Sequence, residues 1–330
     1  MTWFAWRSQR LQIVVGAIFV LLFMGWLYLT GTHEGAAWHN LVLNGCMHRR
    51  QPPQCGHLYN LFTTSDEWSL SNIFILNAIP ALLGLFLGAP LVAREIEQGT
   101  NRLAWTQSIT RSRWLTYKLV LGAIATLVVV AALVPVVGWW ADAAHTGAHI
   151  VPRTYDVVGI TPVAYALFAF MLGTALGTLI RRTGWAVAAG VAVFAATRLG
   201  VDHLRSHFAP LVETPSGANE YAYTYPTNAW IQNSGIVPLN RLTPLPGKTW
   251  NSASTGFYKC TTNLLPKGGS EHQYSNAYRF CSVTLRLHYV IQYQPASHFW
   301  RLQEVESALY VLGALVLLGV TVWAVRRWRT

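Results

Sequence analysis

The chain has 330 residues, of which 52% are hydrophobic and only 11% are charged, whereas soluble domains are about a quarter charged. It carries a formal net charge of +11 and contains 15 tryptophans. This composition, together with apolar runs of about 20 residues, excludes an ordinary soluble protein and indicates a chain that crosses a membrane.

Six apolar segments follow one another, and each is near the length of about 20 residues that a membrane helix needs. In chain order they are Leu11–Thr30, Leu70–Val92, Leu119–Trp140, Val158–Ile180, Trp185–Val201 and Val305–Val325. The fifth is short and rich in alanine and glycine. Arg7 and Arg10 precede the first, as in a signal peptide, but its apolar run is too long and no small-residue cleavage site follows. We therefore expect the first segment to be retained as a helix.

The basic residues predict on which side of the membrane the short loops lie. Half of the 24 basic residues fall in the two terminal tails and in the loops after the second and fourth segments. They are Arg7, Arg10, Arg94, Arg102, Arg111, Arg113, Lys118, Arg181, Arg182, Arg326, Arg327 and Arg329. Because Lys and Arg in short loops mark the cytoplasmic side, both termini are expected in the cytoplasm. The positive charge then reflects topology and lipid headgroups, and no nucleic-acid partner is expected.

All four cysteines fall in segments that this topology places outside the cell, where disulfides persist. Cys46 and Cys55 lie between the first two helices, and Cys260 and Cys281 lie between the fifth and the sixth. Four cysteines permit three pairings. The local pairing, Cys46–Cys55 with Cys260–Cys281, is the one that we predict.

Residues 203–304 differ from the rest of the chain, because they are rich in Tyr, Asn, Ser, Thr and Pro. Alternating side chains in Ser282–Leu287, within the run CSVTLRLHYVIQY, predict a strand. We expect a small extracellular cap domain here, β-rich or mixed, that a disulfide stabilises. Residues 1–202 would hold helices one to five, and residues 305–330 would hold the sixth helix and a basic cytoplasmic tail.

Two patterns in the outer segments are similar to ligand sites but incomplete. Gly247–Thr249 matches the end of a phosphate-binding loop, yet the glycine required five positions earlier is missing. The pairs His145/His149 and His203/His207 have the spacing of two metal ligands on one helix face, but no cysteine or carboxylate cluster completes a site. We therefore predict neither a nucleotide nor a metal in this chain.

The longest cytoplasmic loop, residues 94–118, is a polar stretch between two apolar segments. Gly99 is suited to terminate the second helix. Thr100 is suited to cap a short helix that runs to Ile109, and Thr110 is suited to cap the start of the third membrane helix.

Two features of this loop suit contact with another protein. Leu103 and Trp105 give the short helix apolar side chains, and Glu95 and Glu97 form an isolated acidic pair. A helix that merely lies on lipid headgroups would explain the same pattern equally well. The residues alone leave both interpretations open.

The stretch AREIEQGTNRLAWTQSITRSRWLTYK resembles the cytoplasmic motif of ABC transporter permeases of the type-2 exporter family. The shared features are a glutamate-rich helix end, Gly-Thr, an apolar residue or two, a basic patch, and a lysine that enters the next helix. The segment YQPASHFW before the last helix is similar to actinobacterial members. Family members often have a proline after the short helix, where this chain has Ser-Ile-Thr.

The resemblance implies an all-α membrane fold and a permease subunit that is not itself an enzyme. The loop would be a coupling helix seated on a separate ATPase subunit. Eight residues would serve this contact: Glu95, Glu97, Gly99, Thr100, Leu103, Trp105, Arg111 and Arg113. Two ATPase subunits would carry ATP and magnesium, and a second permease subunit would complete a homodimer. The exported substrate would be amphipathic or hydrophobic, such as an antibiotic, a peptide or a lipid.

The resemblance also implies a substrate path. The second and fifth helices of related exporters line a central cavity, so Phe74, Asn77, Phe194 and Thr197 are expected to border it. Because a buried amide needs a partner, Asn77 could instead form a packing contact with a neighbouring helix.

The glycine pairs and the function each permit more than one interpretation. The pairs Gly84/Gly88 and Gly173/Gly177 permit close helix approach, either between subunits or within one chain.

An intramembrane enzyme would need paired ionisable groups at membrane depth, and no such pair is predicted. A membrane sensor or assembly protein, whose cap binds a ligand and whose loop signals to a partner, is the second function that the sequence permits.

Overall fold

A computed structural model describes residues 2–44, 46, 55–99, 110–143, 150, 152–216, 228–238, 248–264 and 271–327. The chain divides into two compact units. The first comprises residues 1–205 and 301–330, and the second comprises residues 206–300.

Among its described residues, the first unit has six long helices and one short helical turn. The helices are α1 Thr2–Leu43, α2 Cys55–Glu97, α3 Arg111–Ala143, α4 Thr161–Ile180, α5 Thr183–Arg205 and α8 Phe299–Arg327, and the short turn is Pro152–Tyr155. In the described part of the chain, each of the six contains a stretch that is long and apolar enough to cross a membrane. The six predicted membrane helices are therefore confirmed as helices.

The first two helices extend well beyond their predicted boundaries. α1 has 42 residues and α2 has 43, about twice the length that spans a membrane. The predicted Cys46–Cys55 disulfide joins their adjoining ends, and Trp38 and Leu58 pack against it. Hydropathy marks only the part of a helix that lipid surrounds, so polar helical turns beyond that part escaped the prediction.

α2 and α4 pack closely along a face of small residues. A Cβ atom at Gly177 would lie 2.5 Å from the Ala89 carbonyl oxygen, and one at Gly173 would lie 2.8 Å from the Ala89 nitrogen. At Gly84 and Gly88, a Cβ atom would overlap backbone carbonyl oxygens of α4. Both glycine pairs therefore serve packing within one chain, which was one of the two interpretations.

The described parts of the second unit form a three-stranded antiparallel sheet with two helices. Its elements are β1 Val212–Ser216, β2 Trp230–Pro238, α6 Lys248–Leu264, α7 Glu271–Thr284, β3 Leu287–Gln294 and a 3₁₀ turn at Ala296–His298. β3 lies between β1 and β2. The predicted Cys260–Cys281 disulfide joins α6 to α7. The unit is thus mixed, one of the two forms expected of the cap.

The strand predicted at Ser282–Leu287 was wrong for most of its length. α7 continues to Thr284, and β3 begins only at Leu287. Cys281 is fully buried in the small core between α7 and β3, which favours continuing the helix around it. Arg286 then adopts a left-handed conformation with φ of 49°, and this turn separates the helix from the strand. A short alternating pattern could not reveal either constraint.

Candidate functional site

The polar loop between α2 and α3 begins and ends at defined points. α2 ends at Glu97, and Gly99 follows with φ of 69°, a conformation that glycine adopts without strain. α3 begins at Arg111, and the Trp114 N–H donates to the Thr110 carbonyl at 3.1 Å. Gly99 and Thr110 therefore mark the helix boundaries that the sequence predicted.

A buried ion pair joins the two flanks of this loop. Lys118 Nζ contacts Glu95 Oε1, and it also donates to the Leu91 carbonyl at 3.2 Å. The ammonium lies 4.7 Å from the centre of the Trp114 ring. Glu95 is 8% exposed and Lys118 is 2% exposed. Separating such a pair would leave an uncompensated buried charge, so the pair fixes the last turns of α2 to the first turns of α3.

Glu97, two residues nearer the loop than Glu95, is exposed and contacts the start of α5. Its carboxylate accepts hydrogen bonds from the Thr183 N–H and from the Thr183 hydroxyl, both at 2.9 Å. A carboxylate at a helix N-terminus also interacts favourably with the helix dipole. The ends of α2, α3 and α5 are thereby joined beside the loop.

Four charged residues, three of them buried and Arg198 partly buried, meet where α4, α5 and α8 adjoin. They are Asp156, Arg198, Arg205 and Glu306, called here the buried ion cluster. Arg205 Nε donates to Glu306 Oε2 at 2.8 Å, and Arg205 Nη2 donates to Asp156 Oδ1 at 2.6 Å. Arg198 forms an ion pair with Asp156 and donates to Glu306 Oε1 at 2.8 Å. Each arginine thus contacts both of these carboxylates, and Arg205 Nη1 also forms an ion pair with the exposed Asp202 at 3.0 Å.

Tyrosine side chains surround the buried ion cluster. The Tyr165 hydroxyl donates to Glu306 Oε1 at 2.6 Å and accepts from Arg198 Nη1 at 2.8 Å. The Arg205 guanidinium lies 4.5 Å from the centre of the Tyr155 ring. Burial raises the pKa of the Tyr155 phenol, so the phenol stays protonated and adds no further charge.

Gln303 on α8 binds the backbone at the start of α4. Its Oε1 accepts hydrogen bonds from the N–H groups of Ile160 and Thr161, both at 2.9 Å. Its Nε2 donates to two carbonyls within residues 155–158. Gly159 has φ of 77°, and a Cβ atom there would lie 2.6 Å from Gln303 Oε1. The close approach of Gln303 therefore depends on a glycine at this position.

A protein-family model, described as ABC-2 membrane transporter related, matches residues 17–205. The match runs from α1 to the end of α5 and covers more than half of the chain. The chain belongs to this family. No curated protein and no solved structure matches it. The protein is therefore an ABC-2 type permease, a multi-pass membrane transport subunit, and the family implies an ABC ATPase as partner.

The buried ion cluster of the permease was not predicted from the sequence, in which no paired ionisable groups were expected at membrane depth. Arg198 and Arg205 lie in the membrane-crossing stretch of α5, and Glu306 lies in that of α8. The four members come from three separate parts of the sequence, so no single local motif contains them all. The seven-residue spacing of the two arginines on one face of α5 was the available signal. Because arginine keeps its proton, this ion-paired cluster suits a structural role and gives no support to an intramembrane enzyme.

The structure describes only some of the coupling residues that were predicted for the permease. Arg113 is exposed in the first turn of α3. Arg111 begins α3, and its side chain lies outside the described part of the chain. Thr100, Leu103 and Trp105 also lie outside the described residues. The contact of these residues with an ATPase stays a prediction.

Phe194, which was predicted to border the substrate path, packs inside a single permease chain. Its side chain is 9% exposed. Its ring centre lies 6.4 Å from that of Tyr165, 6.1 Å from that of Phe168 and 6.4 Å from that of Tyr310. Phe194 therefore joins the core between α4, α5 and α8.

The other three predicted path residues differ in their surroundings. The Thr197 hydroxyl donates to the Val193 carbonyl within α5 at 2.9 Å. Asn77 Oδ1 is buried and finds no hydrogen-bond partner among the described residues. Phe74 lies in α2, and its side chain is outside the described part of the chain. The substrate path of the permease stays a prediction.

The histidines of the permease show no metal arrangement in the residues that the structure describes. His145 and His149 lie outside these residues, as does Gly247 of the phosphate-loop fragment. His288 in β3 is buried, and neither ring nitrogen has a hydrogen-bond partner within the described ranges. Burial lowers the pKa of His288, so its imidazole is neutral at pH 7.

Proposed function

We propose that this ABC-2 type permease is the membrane subunit of an ATP-driven exporter that moves an amphipathic or hydrophobic substrate out of the cell. ATP and magnesium would bind to a separate ATPase subunit, and this chain would supply the transport route. The observation that carries the proposal is the way in which the ends of the α2–α3 loop are joined to three membrane helices.

The proposed topology has both termini and the α2–α3 loop in the cytoplasm, with the second unit outside the cell. The basic residues of the short loops support this orientation. The disulfides Cys46–Cys55 and Cys260–Cys281 agree with it, because both would lie in an oxidising compartment.

The loop ends give the coupling a physical route. Glu95 and Lys118 join α2 to α3, and Glu97 joins the end of α2 to Thr183 of α5. A displacement of the loop by an ATPase would therefore move the ends of three helices together. In the complete exporter we propose two ATPase subunits and a second copy of the permease.

Purification of the permease from its own membranes tests this function. A tagged chain is expected to retain an ABC ATPase, which mass spectrometry would identify. Leu103→Arg places a charge in the apolar part of the loop and should lower ATPase recovery about tenfold, as loss of an apolar contact at an interface typically does. Tyr258→Arg, an exposed position of the second unit, is the matched control and should leave recovery unchanged.

One outcome would contradict the exporter and favour a membrane sensor or assembly protein. In that outcome the intact permease retains no ATPase, even after chemical cross-linking in the membrane, although it purifies as a folded and monodisperse protein. Equal ATPase recovery with Leu103→Arg and with the wild type would contradict the proposed contact surface alone.

A further inference from the structure

A long apolar groove runs along α8, between α3 and α4, within the first unit. Its volume is about 480 Å³, within the range of about 300–1,000 Å³ that is typical of small-molecule sites. Buried side chains of Leu119, Met171 and Ala314 form its floor, and exposed side chains of Val120 and Leu315 form its open side.

One end of this groove is polar and cationic. Ser112 and Thr116 of α3 and Arg326 of α8 line this end, and all three are exposed. The lining contains no acidic side chain, and Arg326 has no ion-pair partner in the described part of the chain. Arg326 also lines an adjoining cavity of about 500 Å³, together with Trp323 and Arg327. The cationic end therefore presents an uncompensated positive charge.

The dimensions of the groove match one leaflet of a bilayer. Val311 and Arg326 both line it, and they are about 22 Å apart along α8 at about 1.5 Å per residue. A bilayer with its headgroup regions is about 40–45 Å thick, so one leaflet with its headgroups accounts for about 20–22 Å. An acyl chain that starts at the level of Arg326 can therefore follow the groove through its whole leaflet.

We propose that this groove binds an anionic glycerophospholipid, with its phosphate at Arg326 and one acyl chain on Leu119, Met171 and Ala314. Basic pockets between membrane helices recognise anionic headgroups in this way, and the hydroxyls of Ser112 and Thr116 supply further donors. Under the proposed topology the lipid comes from the cytoplasmic leaflet. The binding itself does not depend on the ATPase.

A second groove shows why the charge matters. The cavity between α1 and α2, about 680 Å³ in volume, is also apolar, but Arg94 and Glu97 both line it. The opposite charges cancel there, so that groove has no preference for an anion. The groove at Arg326 combines apolar walls with a single sign of charge, and this combination selects an anionic lipid.

Native mass spectrometry of the purified permease tests the headgroup. After exchange into equal amounts of phosphatidylglycerol and phosphatidylcholine, the wild type is expected to retain phosphatidylglycerol preferentially. Arg326→Gln should lower phosphatidylglycerol retention about fivefold, as expected for one basic residue, and Arg326→Lys should keep it. Arg113→Gln is the matched control, because Arg113 is exposed at the start of α3 but does not line the groove.

Several results would overturn the assignment. They are equal retention of the two lipids by the wild type, an unchanged preference in Arg326→Gln, and an equal loss in Arg113→Gln. Leu315→Cys provides an independent readout, because the four native cysteines are paired. A thiol cross-linker should form no link between copies at this position, whereas a dimer cross-linked through Cys at position 315 would mean that a second copy covers the groove. A negative result in the lipid test does not affect whether the ATPase co-purifies, so lipid binding and the exporter function can each be contradicted independently.

Discussion

Each charge of the buried ion cluster contacts the two members of opposite sign. Glu306 is fully buried and accepts hydrogen bonds from Arg198, Arg205 and Tyr165. Ions withdrawn from water lose their hydration, and only close opposite charges and hydrogen bonds offset that loss. The cluster therefore holds the adjoining parts of α5 and α8 in one arrangement, and removing any one charge leaves another without compensation.

Glu306→Gln is expected to destabilise the permease strongly. The change keeps the shape of the side chain but leaves Asp156 as the buried carboxylate that contacts both arginines, with the exposed Asp202 beside Arg205. Breaking a buried pair costs about 3–5 kcal/mol. Thermal unfolding of the purified protein, followed by size-exclusion chromatography, measures the loss. Glu304→Gln on the same helix is the matched control, because Glu304 is exposed. Equal unfolding temperatures in the two variants would show that the cluster is not an important stabilising contact.

At the scale of single residues, the sequence predicted interactions between neighbouring residues and missed interactions between residues that are distant in the sequence. Gly99 ends α2 and the cysteines pair as expected, because a glycine terminator and a short disulfide loop depend on nearby residues. Asp156 and Glu306 meet only after α4, α5 and α8 have packed. Glu95 looked like a free acidic residue of the loop, although Lys118 reaches it from the next helix.

At the scale of the elements, hydropathy located the six membrane helices because lipid imposes the length of each apolar run. Hydropathy could not predict the polar turns that extend α1 and α2, because polar residues in water can be helical or not without any change in hydropathy. The second unit was harder to predict, because its small core depends on a disulfide and on three short strands. Its mixed character was expected, whereas the helix through Ser282 was not.

The α2–α4 contact leads to a prediction about a single methyl group. In Gly88→Ala, the added Cβ atom would overlap the Phe170 carbonyl oxygen, so the two helices must separate. Overpacking of this kind costs about 1–3 kcal/mol, and the yield of folded protein and its unfolding temperature should both fall. Gly138→Ala on α3 is the control, because no described atom lies within 4 Å of the added group. An unchanged unfolding temperature in Gly88→Ala would contradict the close approach of α2 and α4.

At the scale of the whole molecule, the first unit links its loop ends to its interior. The Glu95–Lys118 pair joins α2 to α3, Glu97 joins α2 to α5, and the ion cluster joins α5 to α8. Every one of these links is electrostatic, and those from α2 to α5 and from α5 to α8 join helices that are distant in sequence. A movement of the loop therefore has a continuous set of contacts through which to reach α8.

A variant that removes the contact of Glu97 with Thr183 tests whether ATPase binding and the transmission of ATPase movement are separate steps. Glu97→Ala removes both hydrogen bonds to the start of α5. ATP-driven uptake of fluorescent amphipathic dyes into inverted membrane vesicles should then fall by up to about fivefold, the range of an exposed interaction. Recovery of the ATPase with the permease should not change. Gln98→Ala, an exposed residue of the same turn, serves as control and should retain full uptake. If Glu97→Ala instead lost the ATPase, Glu97 would contact the partner directly. If uptake stayed at the wild-type level, α5 would receive the movement through another contact.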